Sequence, residues 1–422
     1  MRITIYRGAH QIGGCITEIR NNNAKILIDL GVNLPDSGGK ELNETDVIGL
    51  TQDADAIFYT HYHSDHVGLF YLVPENVPQY IGRGAQEVMM CKYSALSKHQ
   101  DCSKEISAIK SFHTYKSNVP INIKGKIRVT PYYVSHSAFD AYMFKIEVED
   151  KIILHTGDFR RHGYLGKELP KVLRAFIKRV DFLIIEGTML GRRGENTITE
   201  NDVKQNTISL LKEHKYIFAL CSSTDMDRLV SFHQACQKTK RVFLCDPYQK
   251  SVLDVFSRYM EKDLFHFNNV FKIRRRHISS PKIVAKLSTE GFLMPVRVSQ
   301  MEFIKEMLEQ YNDEPAYLIY SLWQGYYNGT EKQINPKVVE LRSLFPNRIL
   351  DGVYDGFHTS GHADVGTLEE VCRILSPRLG IIPIHKNALS TYKSLEIAKE
   401  FNVVESSMRI SNVDISIYKV ED

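Results

Sequence analysis

The segment THYHSDHVG, residues 60–68, concentrates side chains that bind metals. It holds three histidines and one aspartate within six residues: His61, His63, Asp65 and His66. In an extended backbone His61 and His63 point to the same side, because side chains two apart share a face. Imidazoles with a carboxylate suit borderline divalent metals, above all Zn²⁺, with Mn²⁺ as the alternative. The segment therefore predicts a metal centre, and the competing interpretation is an exposed polar loop with incidental histidines.

Four more histidines and aspartates follow short apolar stretches that are typical of strands. Asp29 follows ILI, His136 follows YYVS, Asp158 follows ILHTG and His385 follows IIPI. Any one of these residues taken alone is more often structural than functional. Open sheets gather functional groups beyond the strand ends, at one edge. All four, together with the segment at 60–68, therefore predict one shared site.

The elements that must position these residues change along the chain. The first 150 residues read mainly as short strands, with one hairpin turning at 21–23 and another near Glu149 and Asp150. From about 200 to 345 strands alternate with longer helical stretches, which is typical of a parallel sheet covered by helices. After about 350 we expect a strand, a helix over 363–375, the strand LGIIPIH, another helix and a C-terminal strand. The pattern predicts an α/β (α+β) protein with an α/β insertion in a strand-rich host domain.

Composition limits the broad class of protein. The 422 residues, 43% apolar and 25% charged, indicate a globular protein with two domains, or one domain with an insertion. The net charge of +4 permits an anionic substrate without requiring one. Seven scattered cysteines without a CxxC argue against a disulfide framework. We see no signal peptide and no apolar run of about 18 residues, so a cytoplasmic protein without a membrane partner is expected.

HYHSDH with Asp29, His136, Asp158 and His385 resembles the ordered motif set of the metallo-β-lactamase superfamily. The resemblance implies an αββα sandwich, with two sheets inside and helices outside. It also implies two bound Zn²⁺ ions, with Mn²⁺ as the alternative. The implied site consists of His61, His63 and His136 on the first metal, Asp65, His66 and His385 on the second, Asp158 bridging both, and Asp29 supporting the ligand loop from outside.

Three further motifs resemble the β-CASP nuclease subfamily, which includes ribonuclease J and the mRNA 3′-end-processing endonucleases. VDFLIIEGT resembles its strand that ends in an acidic residue, here Glu186. HTSGHAD resembles its SGH motif, with His362, and PIHKNA supplies its last histidine, His385. The resemblance implies a metallo-β-lactamase domain at 1–195, a β-CASP domain inserted at 196–345 and a return segment at 346–422. The chain departs from the pattern where SAFDAY follows His136 and Lys386 follows His385, which leaves the exact substrate and a homodimeric state open.

The implied chemistry assigns catalytic roles to Asp65, Glu186 and His362. Two zinc ions would share a water, lower its pKa to roughly 7 and so generate a hydroxide that attacks phosphorus. His362 is the candidate donor of a proton to the leaving oxygen, or a phosphate contact. Glu186 would orient His362 or a ligand histidine, and the alternative is a satisfied buried carboxylate. His358, four residues before His362, is a candidate supporting residue.

Candidate substrate contacts come from three places. Ser222, Ser223 and Thr224 precede a predicted helix, whose N-terminal amides would complete an anion site, although an ordinary helix cap is the alternative. Ser360 and Gly361 lie beside His362. The basic run at 271–286 is expected either to follow a nucleic-acid backbone or to form a solvated face.

These features predict a metal-dependent phosphodiester hydrolase, and a ribonuclease that cuts single-stranded RNA is the first hypothesis. A DNA nuclease, or a hydrolase of small esters or phosphodiesters, is the alternative on the same dinuclear site. The long insertion, Glu186 and the SGH motif argue against a small-ester hydrolase. A non-enzymatic RNA-binding subunit should have lost ligands, and here every expected ligand is present. The choice between RNA and DNA stays open because nothing in the sequence reads a 2′-hydroxyl directly. The choice between internal and terminal cleavage stays open because it depends on whether a pocket captures the 5′ phosphate.

Overall fold

A computed structural model describes residues 1–192 and 197–418. The chain divides into two compact units: the first is Met1–Arg161, Leu165–Asn196 and Gly361–Asp422, and the second is His162–Tyr164 and Thr197–Ser360. The boundary expected at 195 and 196 lies outside the described residues. The sequence-based division into three segments stays a prediction.

The first unit contains two sheets. The eight-stranded sheet is made of β1 (Arg2–Arg7), β2 (Ile16–Arg20), β3 (Lys25–Ile28), β4 (Ala56–Phe58), β5 (Gln79–Gly82), β6 (His113–Tyr115), β19 (Met408–Ile410) and β20 (Val413–Ile417). Its spatial order is β19-β20-β1-β2-β3-β4-β5-β6. The six-stranded sheet is made of β7 (Ile121–Ile123), β8 (Ile127–Val134), β9 (Ala141–Val148), β10 (Lys151–His155), β11 (Phe182–Glu186) and β18 (Gly380–Ile384). Its spatial order is β18-β11-β10-β9-β8-β7.

Helices accompany both sheets of this unit. They are α1 (Glu44–Thr51), α2 (Ser64–Val67), α3 (Arg83–Leu96), α4 (Ser103–Ser111), α5 (Leu169–Val172) and α13 (Val365–Leu375). One apolar core joins the two sheets, with Ile26 and Phe58 from the first and Phe144 and Phe182 from the second. A second core lies between the six-stranded sheet and α13. The α/β fold class predicted from the sequence, with two sheets packed face to face, is confirmed.

Strand β11 shows how the sequence produces this layering. Phe182 and Ile184 belong to the core between the sheets, whereas Leu183 and Ile185 belong to the core under α13. Successive side chains of a strand point to opposite faces, so a strand covered on both sides must be apolar throughout. The run FLII satisfies this requirement, and the strand ends where the polar Glu186 begins the site.

The second unit contains one parallel sheet. Its strands are β12 (Tyr216–Cys221), β13 (Val242–Cys245), β14 (Val270–Lys272), β15 (Phe292–Val296), β16 (Ala316–Ser321) and β17 (Ile349–Asp351), and their spatial order is β14-β13-β15-β12-β16-β17. Its helices are α6 (Glu200–Glu213), α7 (Met226–Thr239), α8 (Pro247–Tyr259), α9 (Pro281–Glu290), α10 (Met301–Gln310), α11 (Gly325–Asn328) and α12 (Pro336–Ser343). The strand–helix alternation predicted for this region is confirmed.

Two local predictions need correction. The helix expected after His385 is replaced by two 3₁₀ turns, Tyr392–Ser394 and Glu396–Lys399, because Leu395 between them is extended, with ψ of 155°. The first 150 residues are also less uniformly strands than their sequence indicates, since α3 and α4 lie among them. Both hairpins are confirmed by antiparallel pairing of β2 with β3 and of β9 with β10.

No helix within 1–192 and 197–418 combines the length and the apolar character needed to cross a membrane.

Candidate metal centre

The first unit brings the predicted ligands to one edge because of the directions of its strands. β3 and β4 are parallel, as are β10, β11 and β18. β8 is antiparallel to β9, which is antiparallel to β10, so β8 and β10 run in the same direction. The carboxyl ends of these strands therefore point to the same edge of each sheet. Beyond them lie Asp29 after β3, His61 and His63 after β4, His136 after β8, Asp158 after β10, Glu186 at the end of β11 and His385 after β18.

Asp158 lies at the centre of this group, and its side chain is 2% exposed. Its Oδ2 is close to five imidazole nitrogens: His66 Nε2 at 3.1 Å, His385 Nε2 at 3.6 Å, His362 Nδ1 at 3.7 Å, His136 Nε2 at 3.8 Å and His61 Nε2 at 3.9 Å. Asp158 is therefore surrounded by imidazoles on several sides, and the bridging role that the resemblance implies for it stays a prediction.

The remaining predicted ligands form two groups around Asp158. Donor atoms of His61, His63 and His136 lie within 4.8 Å of one another, and His63 Nδ1 is 3.2 Å from His136 Nε2. Asp65 Oδ2 lies 3.0 Å from His385 Nε2. The same oxygen is 3.8 Å from the Nε2 atom of the residue that follows it, His66. The structure thus brings together all seven residues that the resemblance implied as ligands, while their binding of metal stays a prediction.

Unsatisfied buried atoms provide a test of whether these residues fit a metal. His61 Nε2, His66 Nε2 and Asp158 Oδ1 are buried and have no hydrogen-bond partner. Buried polar atoms are nearly always hydrogen-bonded, so three orphans at one point require an explanation. Imidazole nitrogens and carboxylate oxygens are the donors that Zn²⁺ and Mn²⁺ accept. The residues present therefore fit divalent cations.

Asp29 lies behind two of the candidate ligands, His66 and His61. Its Oδ2 lies 2.8 Å from His66 Nδ1, and its Oδ1 accepts the backbone N–H of Thr60 at 2.7 Å. The Thr60 hydroxyl in turn lies 3.0 Å from His61 Nδ1. These contacts occupy the Nδ1 atoms and leave Nε2 of both histidines directed at the centre. Asp29 holds this position with φ of 61°, a left-handed conformation that costs about 1–3 kcal/mol and is concentrated at functional sites.

We expect Asp29→Asn to weaken metal binding about 10–100-fold, the usual loss when a residue behind a ligand is changed. The amide has a single oxygen, so either the Thr60 N–H or the His66 ring loses its acceptor. Competition with a chromophoric chelator measures the affinity. Asp36→Asn is the matched control, since Asp36 also has a left-handed φ, of 64°, and is exposed. Equal affinities for Asp29→Asn and the control would contradict the supporting role.

One contact with a backbone carbonyl fixes the ring of His136, and one contact with a hydroxyl fixes the ring of His385. His136 Nδ1 donates to the Gly361 carbonyl at 2.6 Å, and the Thr188 hydroxyl lies 2.7 Å from His385 Nδ1. A Cβ at Gly361 would lie 2.3 Å from Ser137 Oγ, so only glycine allows this close approach. Sequence reasoning missed Thr188, although it stands in the EGT motif, and Thr60, which directly precedes His61. It also assigned Gly361 to substrate binding, which stays a prediction, whereas its carbonyl contacts a ligand histidine.

Burial keeps three of the candidate ligand histidines neutral, and a fourth, His66, behaves differently. Burial lowers the pKa of His61 and of His136 well below the usual range, and it lowers the pKa of His63 to about 4. These rings are therefore neutral at pH 7, which is the form that binds metal. Burial also acts to lower the pKa of His66, but nearby acidic groups, Asp158 first, outweigh it and raise that pKa well above its ordinary value.

Glu186 and His362 form a hydrogen-bonded pair at the edge of the cluster. Glu186 is fully buried, its Oε1 accepts the Phe159 backbone N–H at 2.9 Å, and its Oε2 lies 2.9 Å from His362 Nδ1. The His362 side chain is 21% exposed. Burial acts to lower the pKa of His362, but the charges of Glu186, Asp158 and Asp65, Glu186 first, and the hydrogen bond to Glu186 outweigh it and raise that pKa to about 9. The pair can hold a proton on an imidazole that water and ligands reach.

His155, the last residue of β10, lies inside the core beneath this site. It is 1% exposed, and its Nδ1 accepts the Gly157 N–H at 3.2 Å. Burial lowers the pKa of His155 from its ordinary value of 6.5 to about 4. The neutral ring is thus part of the folded core.

This burial predicts an acid-sensitive contribution to stability. Because the folded-state pKa of His155 is depressed, its contribution is complete above pH 6.5 and is lost as the pH falls through about 4, at a cost of about 3 kcal/mol. His155→Asn keeps an acceptor for Gly157 and removes the titration. Urea unfolding of chelated protein between pH 7 and 4 should give a shallower decline for this variant. The exposed His99→Ala protein should follow the wild type, and identical slopes for all three would contradict the assignment.

Other candidates lie in the second unit. Ser222 and Thr224 hydrogen-bond each other, with 3.2 Å between their hydroxyls, and the N-cap of α7 is Asp225, whose side chain accepts the Arg228 N–H. His358 Nδ1 lies 3.3 Å from Nη1 of the same arginine.

Two more candidates of that unit have neighbours of their own. The Ser360 carbonyl accepts from His162 Nε2 at 2.6 Å. The basic run contains the 3₁₀ turn Arg275–His277 and the first turns of α9. Contact of any of these residues, or of Ser223, with substrate stays a prediction, as does a supporting role for His358.

Comparison with known proteins agrees with this geometry. Residues 25–233 match the family described as Beta-lactamase superfamily domain. Ribonuclease J of Helicobacter pylori is 24% identical over 94% of this chain and 58% of its own length. Cleavage and polyadenylation specificity factor subunit 3 of Dictyostelium discoideum is 26% identical over 44% of this chain and 26% of its own length. This chain therefore spans little more than half of the ribonuclease that it matches.

A solved structure shares the fold. It is the crystal structure of a protein of unknown function from Enterococcus faecalis V583, with a TM-score of 0.70 and 17% identity. The similarity covers 95% of this chain and 96% of that chain, so both compact units have counterparts in it. The fold, the ordered motif set and these matches show that the chain belongs to the metallo-β-lactamase superfamily and, within it, to the β-CASP branch.

Proposed function

We propose that this protein is a metal-dependent ribonuclease that hydrolyses phosphodiester bonds of single-stranded RNA. The observation that carries the proposal is the group of buried donor atoms around Asp158, three of which have no hydrogen-bond partner. In the proposed assignment His61, His63 and His136 would hold one Zn²⁺, Asp65, His66 and His385 would hold the second, and Asp158 would serve both. Mn²⁺ is the alternative metal at these positions. Bound divalent metals supply Lewis-acid stabilisation of a reacting phosphate and lower the pKa of water to roughly 7.

The protein's own contribution begins with placement. Asp29, Thr60, Thr188 and the Gly361 carbonyl orient four imidazoles before any metal arrives. Such preorganisation lowers the reorganisation needed when charge develops on the phosphate oxygens. It also explains why strained backbone is retained here: His385, like Asp29, has a left-handed φ, of 50°.

His362 supplies the proton in this scheme. Glu186 engages Nδ1, so the proton to be delivered is held on Nε2 of the same ring. The leaving 3′ oxygen of a nucleotide is a poor leaving group unless it receives a proton. A general acid held by a fixed carboxylate meets this requirement and typically contributes about 10²–10⁴-fold in rate.

RNA is proposed over DNA because of the relatives. The Helicobacter pylori protein is a ribonuclease J, and a Mycosarcoma maydis relative is an endoribonuclease. One experiment separates the substrates. Purified protein loaded with Zn²⁺ or Mn²⁺ is given 5′-monophosphorylated single-stranded RNA and the matching DNA, with His63→Ala protein as control. Products are resolved on a sequencing gel.

Cleavage of RNA that disappears with His63→Ala is the expected result, and the product ladder distinguishes terminal trimming from internal cuts. Cleavage of DNA alone would replace the proposal by a DNA nuclease. If protein that holds two metals per chain cleaves neither RNA nor DNA, the alternative becomes a hydrolase of small esters or phosphodiesters.

A further inference from the structure

Cys15 lies beside one half of the metal centre, and the proposed function gives it no role. Its side chain is buried, with 1% exposure. Its Sγ and one ring nitrogen each from His66 and His385 lie within 4.8 Å of one another. A sulfur at about 2.3 Å and a nitrogen at about 2.0 Å from the same zinc ion lie at most about 4.3 Å apart, so these donors need only small movements to share an ion. Within 1–192 and 197–418, Cys15 is the cysteine whose sulfur joins such a group.

The position of this thiol is fixed by its neighbours. The Cys15 N–H donates to the Asp65 carbonyl at 3.0 Å, and the Cys15 carbonyl accepts from Gly31 at 3.1 Å. Gly8, with φ of 101°, covers the sulfur so closely that a Cβ there would lie 3.0 Å from Sγ. The same Cβ would lie 3.6 Å from the His385 backbone nitrogen. The thiol is therefore held between the loop of one candidate ligand and the backbone of another.

A second observation concerns the histidine beside this thiol. His66 is 1% exposed, and its Nε2 makes no hydrogen bond, although Asp158 Oδ2 lies 3.1 Å from it. Its Nδ1 is already engaged by Asp29, so the ring cannot turn to satisfy Nε2 elsewhere. A buried imidazole nitrogen of this kind, next to a buried thiol and the Asp65 carboxylate, is a metal-donor set rather than an apolar packing arrangement.

We propose that Cys15 binds, as a thiolate, the metal held by Asp65, His66 and His385, and that it makes this position selective for Zn²⁺ over Mn²⁺. The inference rests on the proposed function and refines its metal centre. Binding forms a sulfur–metal bond and releases the S–H proton to solvent, with no change in oxidation state. Thiolate is a soft ligand that favours zinc, whereas manganese prefers carboxylate, carbonyl and water. One cysteine at this position is therefore sufficient to bias the choice of metal.

Cobalt substitution tests the bond directly. Full-length chelated protein is titrated with Co²⁺, and absorption is recorded in the visible region, where Co²⁺ ligand-field bands lie, and in the near ultraviolet, where thiolate-to-Co²⁺ charge transfer lies. The variants are Cys15→Ser, Cys15→Ala and, as a buried-thiol control, Cys102→Ser, whose cysteine is also 1% exposed. Metal content and the rate of zinc loss to a chelator are measured on the same samples. RNA cleavage is assayed separately.

The expected result is a charge-transfer band in the wild type and in Cys102→Ser that is absent from both Cys15 variants. Zinc loss should become about 10–100-fold faster in the Cys15 variants, while Mn²⁺ affinity changes much less. Two bound Co²⁺ ions without a charge-transfer band in the wild type would overturn the thiolate while leaving the ribonuclease intact. A band that persists in Cys15→Ser would also overturn it. Wild-type protein that binds no Co²⁺ would overturn the metal centre itself.

Discussion

Asp158→Asn should abolish cleavage of RNA, with a rate loss of at least roughly 10³-fold, more than a single lost stabilising contact costs. The reason is the central position of the carboxylate, whose Oδ2 lies 3.1 Å from His66 Nε2 and within 3.9 Å of four further imidazoles. An amide keeps the size of the side chain but removes the negative charge that the two proposed cations would share. Steady-state cleavage of a labelled oligonucleotide at saturating Zn²⁺ measures the loss.

Metal-dependent stability distinguishes loss of metal from loss of fold. A ligand at 100 times its dissociation constant stabilises the folded state by about 2.7 kcal/mol, so zinc should raise the melting temperature of the wild type. Asp158→Asn should melt near the chelated wild type and respond little to zinc. His99→Ala, which alters an exposed histidine outside the cluster, should keep both activity and zinc response. An Asp158→Asn protein that holds two metals and cleaves RNA normally would refute the bridging assignment.

The candidate ligands could be found from the sequence because two independent local signals coincide in them. Residue type restricts what each side chain can bind, and an apolar run such as FLII or IIPI marks where a strand ends. Parallel strand directions then bring those ends to one edge, which is a general property of such sheets. No knowledge of distant contacts is needed to see that His61, Asp158 and His385 occupy equivalent places.

The supporting contacts could not be found in this way, because they depend on which distant segments meet. Thr188 lies 197 residues from His385, and Gly361 lies 225 residues from His136. A threonine hydroxyl or a backbone carbonyl also carries no signal of its own, since every protein has many. Cys15 also carries no signal of its own, because an isolated cysteine in a sequence is typical of a packed core thiol.

The misassigned helix after His385 has a different physical origin. The segment YKSLEIAKE has residues with reasonable helix propensity, but propensity is a weak preference that tertiary context overrides. Thr391 caps a short turn by accepting the Lys393 N–H, and the Tyr392 hydroxyl donates to the Glu186 carbonyl at 2.5 Å. Anchoring Tyr392 beneath the site fixes the backbone in short turns, so the requirement of the site prevails over local preference.

His362→Ala should lower RNA cleavage about 10²–10⁴-fold while both metals stay bound, because the ring acts as the proton donor in the proposed mechanism. Glu186→Gln should cause a smaller loss and move the alkaline limb of the pH profile to lower pH. The carboxylate of Glu186 has the largest part in raising the pKa of His362 to about 9 against the opposing effect of burial, and an amide cannot replace that charge. A general acid must be protonated, so activity falls as the pH rises through that pKa, and it falls earlier once the pKa drops. The pH dependence of kcat/KM on RNA measures the shift.

Changing the leaving group separates proton donation from the alternatives, a phosphate contact or a metal ligand. A nitrophenolate leaves without protonation, so a nitrophenyl phosphodiester bypasses a general acid. With such a substrate His362→Ala should lose about 10-fold or less, far below the loss that removal of a general acid causes on RNA. If His362 contacts the phosphate instead, His362→Ala should lose the same fraction of its rate with both substrates. If His362 is a metal ligand, the variant should hold fewer than two metals per chain. Equal losses on RNA and on the nitrophenyl ester would therefore show that His362 is not the proton donor. Glu186 would then hold in place a ring that binds the substrate.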